Sequence, residues 1–148
     1  MLPEASSVEL ARRLAHLGLD IGRYTSALAH GFLTRWPQPA DWSSVEAASA
    51  LISTFAIGET TFMRHPEHFA TLKSLVPELC RTRQGAPLRA FSAGCSSGEE
   101  AYSLAATLSS VVGAGFELQA WDVNPEAIAR AHQAEYRPWS LRGVDAQA

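Results

Sequence analysis

Leu88-Arg89-Ala90-Phe91-Ser92-Ala93, then Gly94-Cys95-Ser96-Ser97-Gly98, then a run opening at Glu99-Glu100 decide the reading of this chain. The first six residues have the short apolar and small-residue pattern of a strand. The next five form a loop bounded by glycines, and Glu99 to Val112 combines helix formers with apolar residues at helical spacing. Further on, Phe116-Glu117-Leu118-Gln119-Ala120-Trp121 predicts a second strand ending at Asp122, and Asn124-Pro125 caps a helix carrying Ile128 and Ala131. Gly113-Ala114-Gly115 is the helix-to-strand connection. Strand and helix alternate, which predicts a βαβα unit with parallel strands. The tail from Tyr136 onward has no clear pattern.

Upstream, the chain reads as helices. Ser6-Ser7-Val8-Glu9 fits a capping box, Leu10, Leu14 and Leu17 make one helical face, and Gly18 is a plausible stop. Ile21, Tyr24, Leu28 and Phe32 continue helical spacing until Pro37, Pro39 and Asp41 break it. A second box, Ser43-Ser44-Val45-Glu46, opens a helix through Leu51 and Phe55. His65-Pro66 starts another, with Phe69, Leu72, Leu75 and Val76 as its buried face and Pro77 as its interruption. The expected organisation is therefore a helical subdomain over residues 1–57 and an α/β part over 58–148.

Composition sets the outer limits. At 148 residues and 47% hydrophobic, the chain has material for one ordinary domain or two small units sharing the load. A net charge of -3 gives no overall attraction to nucleic acid. Cys80 and Cys95 form no framework or CxxC pair, which suggests a reducing compartment. The opening residues lack the regions of a signal peptide, and no apolar run approaches the roughly 18 residues of a membrane span. The expectation is a soluble, cytoplasmic protein.

In open α/β sheets, ligands bind beyond the carboxyl ends of the strands, so the loop 94–98 and Asp122 are expected to meet at one crevice. Glycines allow close ligand approach, and a carboxylate ending the second strand suits ribose hydroxyls. The dinucleotide fingerprint GxGxxG and the P-loop lysine are both missing, and the loop runs into Glu99-Glu100. Carboxylates there repel a pyrophosphate but suit a ligand carrying an ammonium and a sulfonium, as S-adenosylmethionine (SAM) does. The same residues admit a purely structural reading: Ser96, Ser97 and Glu99 as helix caps, and Asp122 as the start of the turn before Asn124.

Three segments carry a family resemblance. FSAGCSSGEEAYSLA (91–105), GETTFMRHPEHF (58–69) and AWDVNPEAIARAHQAEY (120–136) resemble, in order, the SAGCSTGEEPYS, NETxFFR and ATDINPEAL segments of the CheR-type chemotaxis receptor methyltransferases. The resemblance implies a small N-terminal all-α subdomain followed by the first βαβα part of a Rossmann-like SAM methyltransferase sheet. It implies that Thr60 and Arg64 help hold the cofactor, Arg64 through a carboxylate such as the methionyl one. Glu100 would contact the cofactor and Asp122 its ribose, with Ala93 and Gly94 offering backbone; no catalytic residue is assigned. Departures are Gly58 for asparagine, Met63 for phenylalanine, Ala101 for proline and Trp121 for a small polar residue. Gly58 supplies no side-chain hydrogen bond.

By the same resemblance the activity is SAM-dependent methylation of glutamate side chains in the cytoplasmic helical region of chemoreceptors. Arg12 and Arg13 would present a basic patch to that acidic bundle or merely a solvated helix surface. Two strands make a poor parallel sheet, so the chain is expected to be a truncated form, weak or inactive on its own. Other readings are a non-catalytic receptor-interaction module with a vestigial SAM site, and a small-molecule SAM methyltransferase. His65 and His68 have no third ligand nearby, so no metal site is expected, and no Ser-His-Asp or Cys-His arrangement supports covalent catalysis.

Overall fold

The computed structural model describes residues 4–19, 26–36, 38, 40, 42, 44–83 and 85–144. The chain divides into two compact units, Met1–Ile57 and Gly58–Ala148.

In the first unit, helices α1 (Glu4–His16), α2 (Ser26–Arg35) and α3 (Val45–Phe55) enclose one apolar core. Phe32 sits at its centre, edge-on to Trp42 at 5.6 Å and to Phe55 at 6.0 Å, a geometry that aligns ring edges with ring faces. The buried Trp42 indole N–H donates to the Trp36 carbonyl at 2.9 Å, so the bulk is buried without stranding a donor.

Several details depart from the sequence reading. Helix α1 already runs at Glu4, so Ser6 and Ser7 lie within it and are not its cap. Its stop is as expected: Gly18 takes φ 74, and Leu19 N–H and Gly18 N–H close back on the Leu14 and Ala15 carbonyls at 2.8 and 3.0 Å. That pair of bonds is a Schellman motif. Because the helix has ended, Leu17 leaves the stripe of Leu10 and Leu14 and is exposed. The cap of α3 is Ser44, whose Oγ accepts the Ala47 N–H at 3.1 Å. Ile21, Tyr24 and Ser43 lie outside the described residues, as do Pro37, Pro39 and Asp41.

The second unit contains α4 (Pro66–Arg81), β1 (Leu88–Ala93), α5 (Glu99–Val112), β2 (Phe116–Trp121), α6 (Pro125–Gln133) and a 3-10 helix, Pro138–Leu141. The strands pair in parallel from Leu88 opposite Phe116 to Ala93 opposite Trp121. Asn124 caps α6 as expected, its side chain accepting from the Glu126 and Ala127 N–H groups. Among the described residues, then, the architecture is mixed α/β: six α-helices and a two-stranded parallel sheet.

Pro77 does not interrupt α4, which continues four residues beyond it to Arg81. Val76 is fully buried against Leu88 and Leu108, with Leu72 and Cys80 packed beside it, so the buried stripe runs 72, 76, 80. That stripe outweighs the cost of one lost helical bond. Leu75, one residue off it, is exposed. Phe91 and Trp121 meet edge-on at 5.7 Å and are both exposed, 53% and 67%, so this face of the sheet is open at its carboxyl end.

Candidate functional site

The loop 94–98 leaves β1 with alternate residues in the left-handed region: Gly94 at φ 79, Ser96 at φ 49 and Gly98 at φ 99. This coil turns its own N–H groups onto the end of β2. Gly94 and Cys95 N–H both donate to the Trp121 carbonyl, at 2.8 and 2.9 Å, and Ser96 N–H donates to Asp122 Oδ2 at 2.7 Å. Gly98 N–H donates to the Cys95 carbonyl at 2.9 Å. A phosphate-binding loop needs such donors facing outward; here four of them are engaged within the fold.

Asp122 holds the two strand ends together. Its Oδ1 accepts the Asn124 N–H at 2.8 Å while Oδ2 takes the Ser96 N–H. The turn-forming role is therefore real, and the carboxylate, with about four acceptor sites, keeps some to offer a ligand. Ser96 extends the link by donating its hydroxyl to the Gly58 carbonyl at 3.1 Å, which brings the 58–64 segment onto the loop.

Arg64 and Glu100 share a cavity of about 360 Å³ lined also by His65, His68, Phe69, Leu72 and Leu104. Arg64 is exposed, and its guanidinium donates to the Glu59 carbonyl at 2.8 Å. Glu100 accepts the Ser92 hydroxyl at 2.7 Å, which ties it to β1 beside Ala93. Asp122 does not line this cavity. The buried Cys95 thiol is pushed up by burial, then by the negative charges of Asp122 and of Glu100. A thiol held protonated and 1% exposed is no nucleophile. Ala93 and Gly94 are exposed at the end of β1, and Thr60 is half-buried on the adjoining segment. A Cβ on Gly94 would meet nothing within 4 Å, so glycine is there for its backbone angle.

The two glutamates that open α5 have different surroundings. Glu100 is exposed, whereas Glu99 is 4% exposed and accepts hydroxyls from Ser97 at 2.7 Å and Ser140 at 2.9 Å. The helix is capped by Gly98 with no side-chain cap bond, so Ser96 and Ser97 serve other ends. Sequence reading gave Ser92, Ser103, Tyr136 and Ser140 no role. Tyr136 donates to the Ser97 carbonyl at 2.7 Å, and Ser103 Oγ accepts the Met63 N–H at 2.8 Å. The only signal available for Tyr136 was its position at the end of a segment already singled out. Ser103 had none, since a serine inside a helix reads as filler.

His65 and His68 have ring centroids 5.3 Å apart and both approach Glu67, but among the described residues no group of three His, Cys, Asp or Glu is placed to hold a metal ion. No helix among them is long and apolar enough to cross a membrane.

Comparison with known proteins gives the family. Residues 58–148 match the CheR methyltransferase, SAM binding domain. The chain is 34% identical over 142 residues to the chemotaxis protein methyltransferase of Salmonella typhimurium, covering 93% of this chain and 44% of that one. The Escherichia coli chemotaxis protein methyltransferase is 31% identical over the same shares. The "Probable biofilm formation methyltransferase WspC" of Pseudomonas putida is 39% identical over 105 residues, 69% of this chain and 25% of its own. The chain thus spans less than half the length of these relatives. The matched domain is a SAM-binding one, so S-adenosylmethionine is the cofactor it implies, and a guanidinium and a carboxylate sharing one cavity fit the carboxylate and ammonium of a methionyl group. With the match extending over all of the second unit, the chain belongs to the CheR methyltransferase family.

Proposed function

We propose that residues 58–148 bind S-adenosylmethionine as the first βαβα part of a Rossmann-like sheet, and that residues 1–57 form the helical subdomain that approaches the substrate. The observation that carries this reading is the shared cavity of Arg64 and Glu100, one cation and one anion over the apolar side chains of Phe69, Leu72 and Leu104. Arg64 would hold the methionyl carboxylate and Glu100 the ammonium. Asp122, still with acceptor capacity, would take ribose hydroxyls, and Ala93 and Gly94 would lie along the cofactor. Thr60 would contact it from the 58–64 segment.

When bound, the cofactor supplies an electrophilic methyl group. The accepting groups are side-chain carboxylates of glutamates in the cytoplasmic helical region of chemoreceptors, in line with relatives that are named chemotaxis protein methyltransferases. A glutamate of ordinary pKa, about 4.3, is already ionised at neutral pH. No general base is then required of this chain, and its part is to position the reactants and exclude water. The product ester is neutral, which removes repulsion within a receptor bundle. The place of action is the cytoplasm.

Isothermal titration of the chain with S-adenosylmethionine tests the site. Arg64→Ala and Glu100→Gln should each weaken binding about tenfold or more, in keeping with about 1.5–3 kcal/mol for a hydrogen bond to a charged group. Unchanged affinity in both variants removes the reading. Transfer of labelled methyl to a receptor fragment, and not to small carboxylic acids, separates the receptor enzyme from a small-molecule methyltransferase. A chain that binds the receptor fragment but no S-adenosylmethionine is instead the non-catalytic receptor-interaction module with a vestigial site.

A further inference from the structure

Segment 58–64 is neither helix nor strand, yet hydrogen bonds hold it at Gly58, Glu59, Phe62, Met63 and Arg64. Phe62 N–H donates to the Ser140 carbonyl at 2.9 Å, and Met63 N–H to Ser103 Oγ at 2.8 Å. The Glu59 carboxylate takes the Arg142 guanidinium at 3.2 Å. The Phe62 ring stands edge-on to Tyr136 at 4.8 Å, and a Cβ on Gly143 would lie 2.6 Å from the Phe62 carbonyl. Residues 136–144 therefore pass directly over this turn, backbone against backbone.

The turn is strained where it carries Arg64. Met63 and His65, on either side of it, have φ of 50 and 61, the left-handed region that side chains avoid. Such angles persist only where surrounding contacts over-determine them. The fastening is polar and directed. Ser140 gives its carbonyl to the turn and its hydroxyl to the buried Glu99, while Tyr136 donates to the Ser97 carbonyl. A tail that only covered apolar surface would need none of these bonds.

We propose that residues 136–144 are a positioning strap. Ser140 and Tyr136, anchored by Glu99 and the Ser97 carbonyl, hold the strained turn so that Arg64 and Thr60 are presented to the cofactor. They are positioning residues and touch no substrate. The inference rests on the cofactor reading above but is mechanically separate from it.

Two measurements on the 148-residue chain test it: amide hydrogen exchange at Phe62 and Met63 without ligand, and titration with S-adenosylmethionine. Ser140→Ala removes the hydroxyl bond to Glu99 and should speed exchange at both amides about tenfold and weaken binding about three- to tenfold. Ser140→Thr keeps a hydroxyl and should restore both. Tyr136→Phe keeps the ring on Phe62, loses the Ser97 bond and should give an intermediate result. Unchanged exchange in Ser140→Ala overturns the strap, and so does a binding loss equal in Ser140→Ala and Ser140→Thr. Exchange that responds as expected in a chain that binds no S-adenosylmethionine supports the strap and overturns the cofactor reading instead.

Discussion

Ser96 and Asp122, 26 residues apart, are joined by a 2.7 Å bond from the Ser96 backbone N–H to the Asp122 carboxylate. The same serine reaches Gly58 through its hydroxyl. One residue thus gathers the three segments that resemble the family's motifs, and it does so from a left-handed conformation at φ 49. The carboxylate that ends β2 is a structural clamp before it is anything to a ligand.

Asp122→Asn should therefore cost stability as well as affinity. An asparagine has one acceptor oxygen, so either the Ser96 or the Asn124 N–H must face an amide donor. Stranding one buried donor costs about 1–3 kcal/mol. A urea titration should show a lower midpoint with little change in slope; a wild-type midpoint would mean that water replaces the clamp.

Gly98→Ala and Gly94→Ala separate backbone strain from close packing. Both glycines have positive φ, and an alanine at either should carry roughly 1–3 kcal/mol of strain. At Gly98 the new methyl would also lie 2.8 Å from the Tyr136 hydroxyl and 2.9 Å from the Ala131 Cβ, whereas at Gly94 it meets nothing within 4 Å. Overpacking adds about 1–3 kcal/mol more at Gly98. Melting temperatures should fall in the order wild type, Gly94→Ala, Gly98→Ala; equal falls would deny that Tyr136 sits close over the loop.

The second unit was legible in the sequence because its signals are local. Leu88 to Trp121 alternates strand, glycine turn and helix with every boundary marked by a turn residue or cap, and both strands and α5 have the bounds their pattern predicts. Where the outcome depends on distant packing, the pattern fails. Pro77 reads as a break, yet the helix continues through it, because Val76 is buried against Leu88 and Leu108. Leu75 and Leu17 read as core and are exposed, Leu75 one residue off the buried stripe and Leu17 one residue past the end of α1. Of the site, the resemblance groups Arg64, Glu100 and Asp122 around one cofactor; Arg64 and Glu100 share a cavity, and Asp122 does not line it. That Ser103 and Ser140 fasten the 58–64 turn was not legible, since the bonds from Met63 to Ser103 and from Phe62 to Ser140 join residues far apart in the chain.

Gly58→Asn places the family's side chain back at this position. Gly58 has an ordinary φ, and its Cβ would meet only Ser96 Oγ, at 3.4 Å. The substitution should leave stability within about 0.5 kcal/mol and raise affinity for S-adenosylmethionine. Unchanged binding in titration would show that the missing amide is not what sets this chain's affinity.

Tyr136 gives the second unit an alkaline limit. Burial, then the nearby Glu99 charge, pushes its hydroxyl up to about 12 from the usual 10. The folded state thus holds this proton more tightly than the unfolded one, so stability is intact below pH 10 and is lost as pH rises from there toward about 12. Tyr136→Phe should flatten that decline in thermal melts between pH 10 and 12. An identical pH profile in the variant would place the alkaline transition elsewhere.

Glu9 neutralises much of the basic patch expected on α1. Its carboxylate binds the Arg12 guanidinium through two 2.7 Å bonds and Arg13 through one of 3.3 Å, while Arg13 also donates to the Trp42 carbonyl. The Arg12 hydrogen bond foremost, and Arg13 with it, holds Glu9 at about 2, well below 4.5. Whatever Glu9 adds to stability is therefore present above pH 4.5 and fades as pH falls toward 2. At neutral pH Glu9, Arg12 and Arg13 together carry a net single positive charge. If this helix meets an acidic receptor bundle, Glu9→Gln should strengthen binding of a receptor fragment several-fold at low salt, and the gain should shrink as salt is added. Arg12→Ala should weaken it, whereas Arg13→Glu also breaks the bond to Trp42 and would confound binding with folding. Equal binding by Glu9→Gln and wild type at low ionic strength would leave α1 as a solvated surface, with the receptor meeting some other part of the chain.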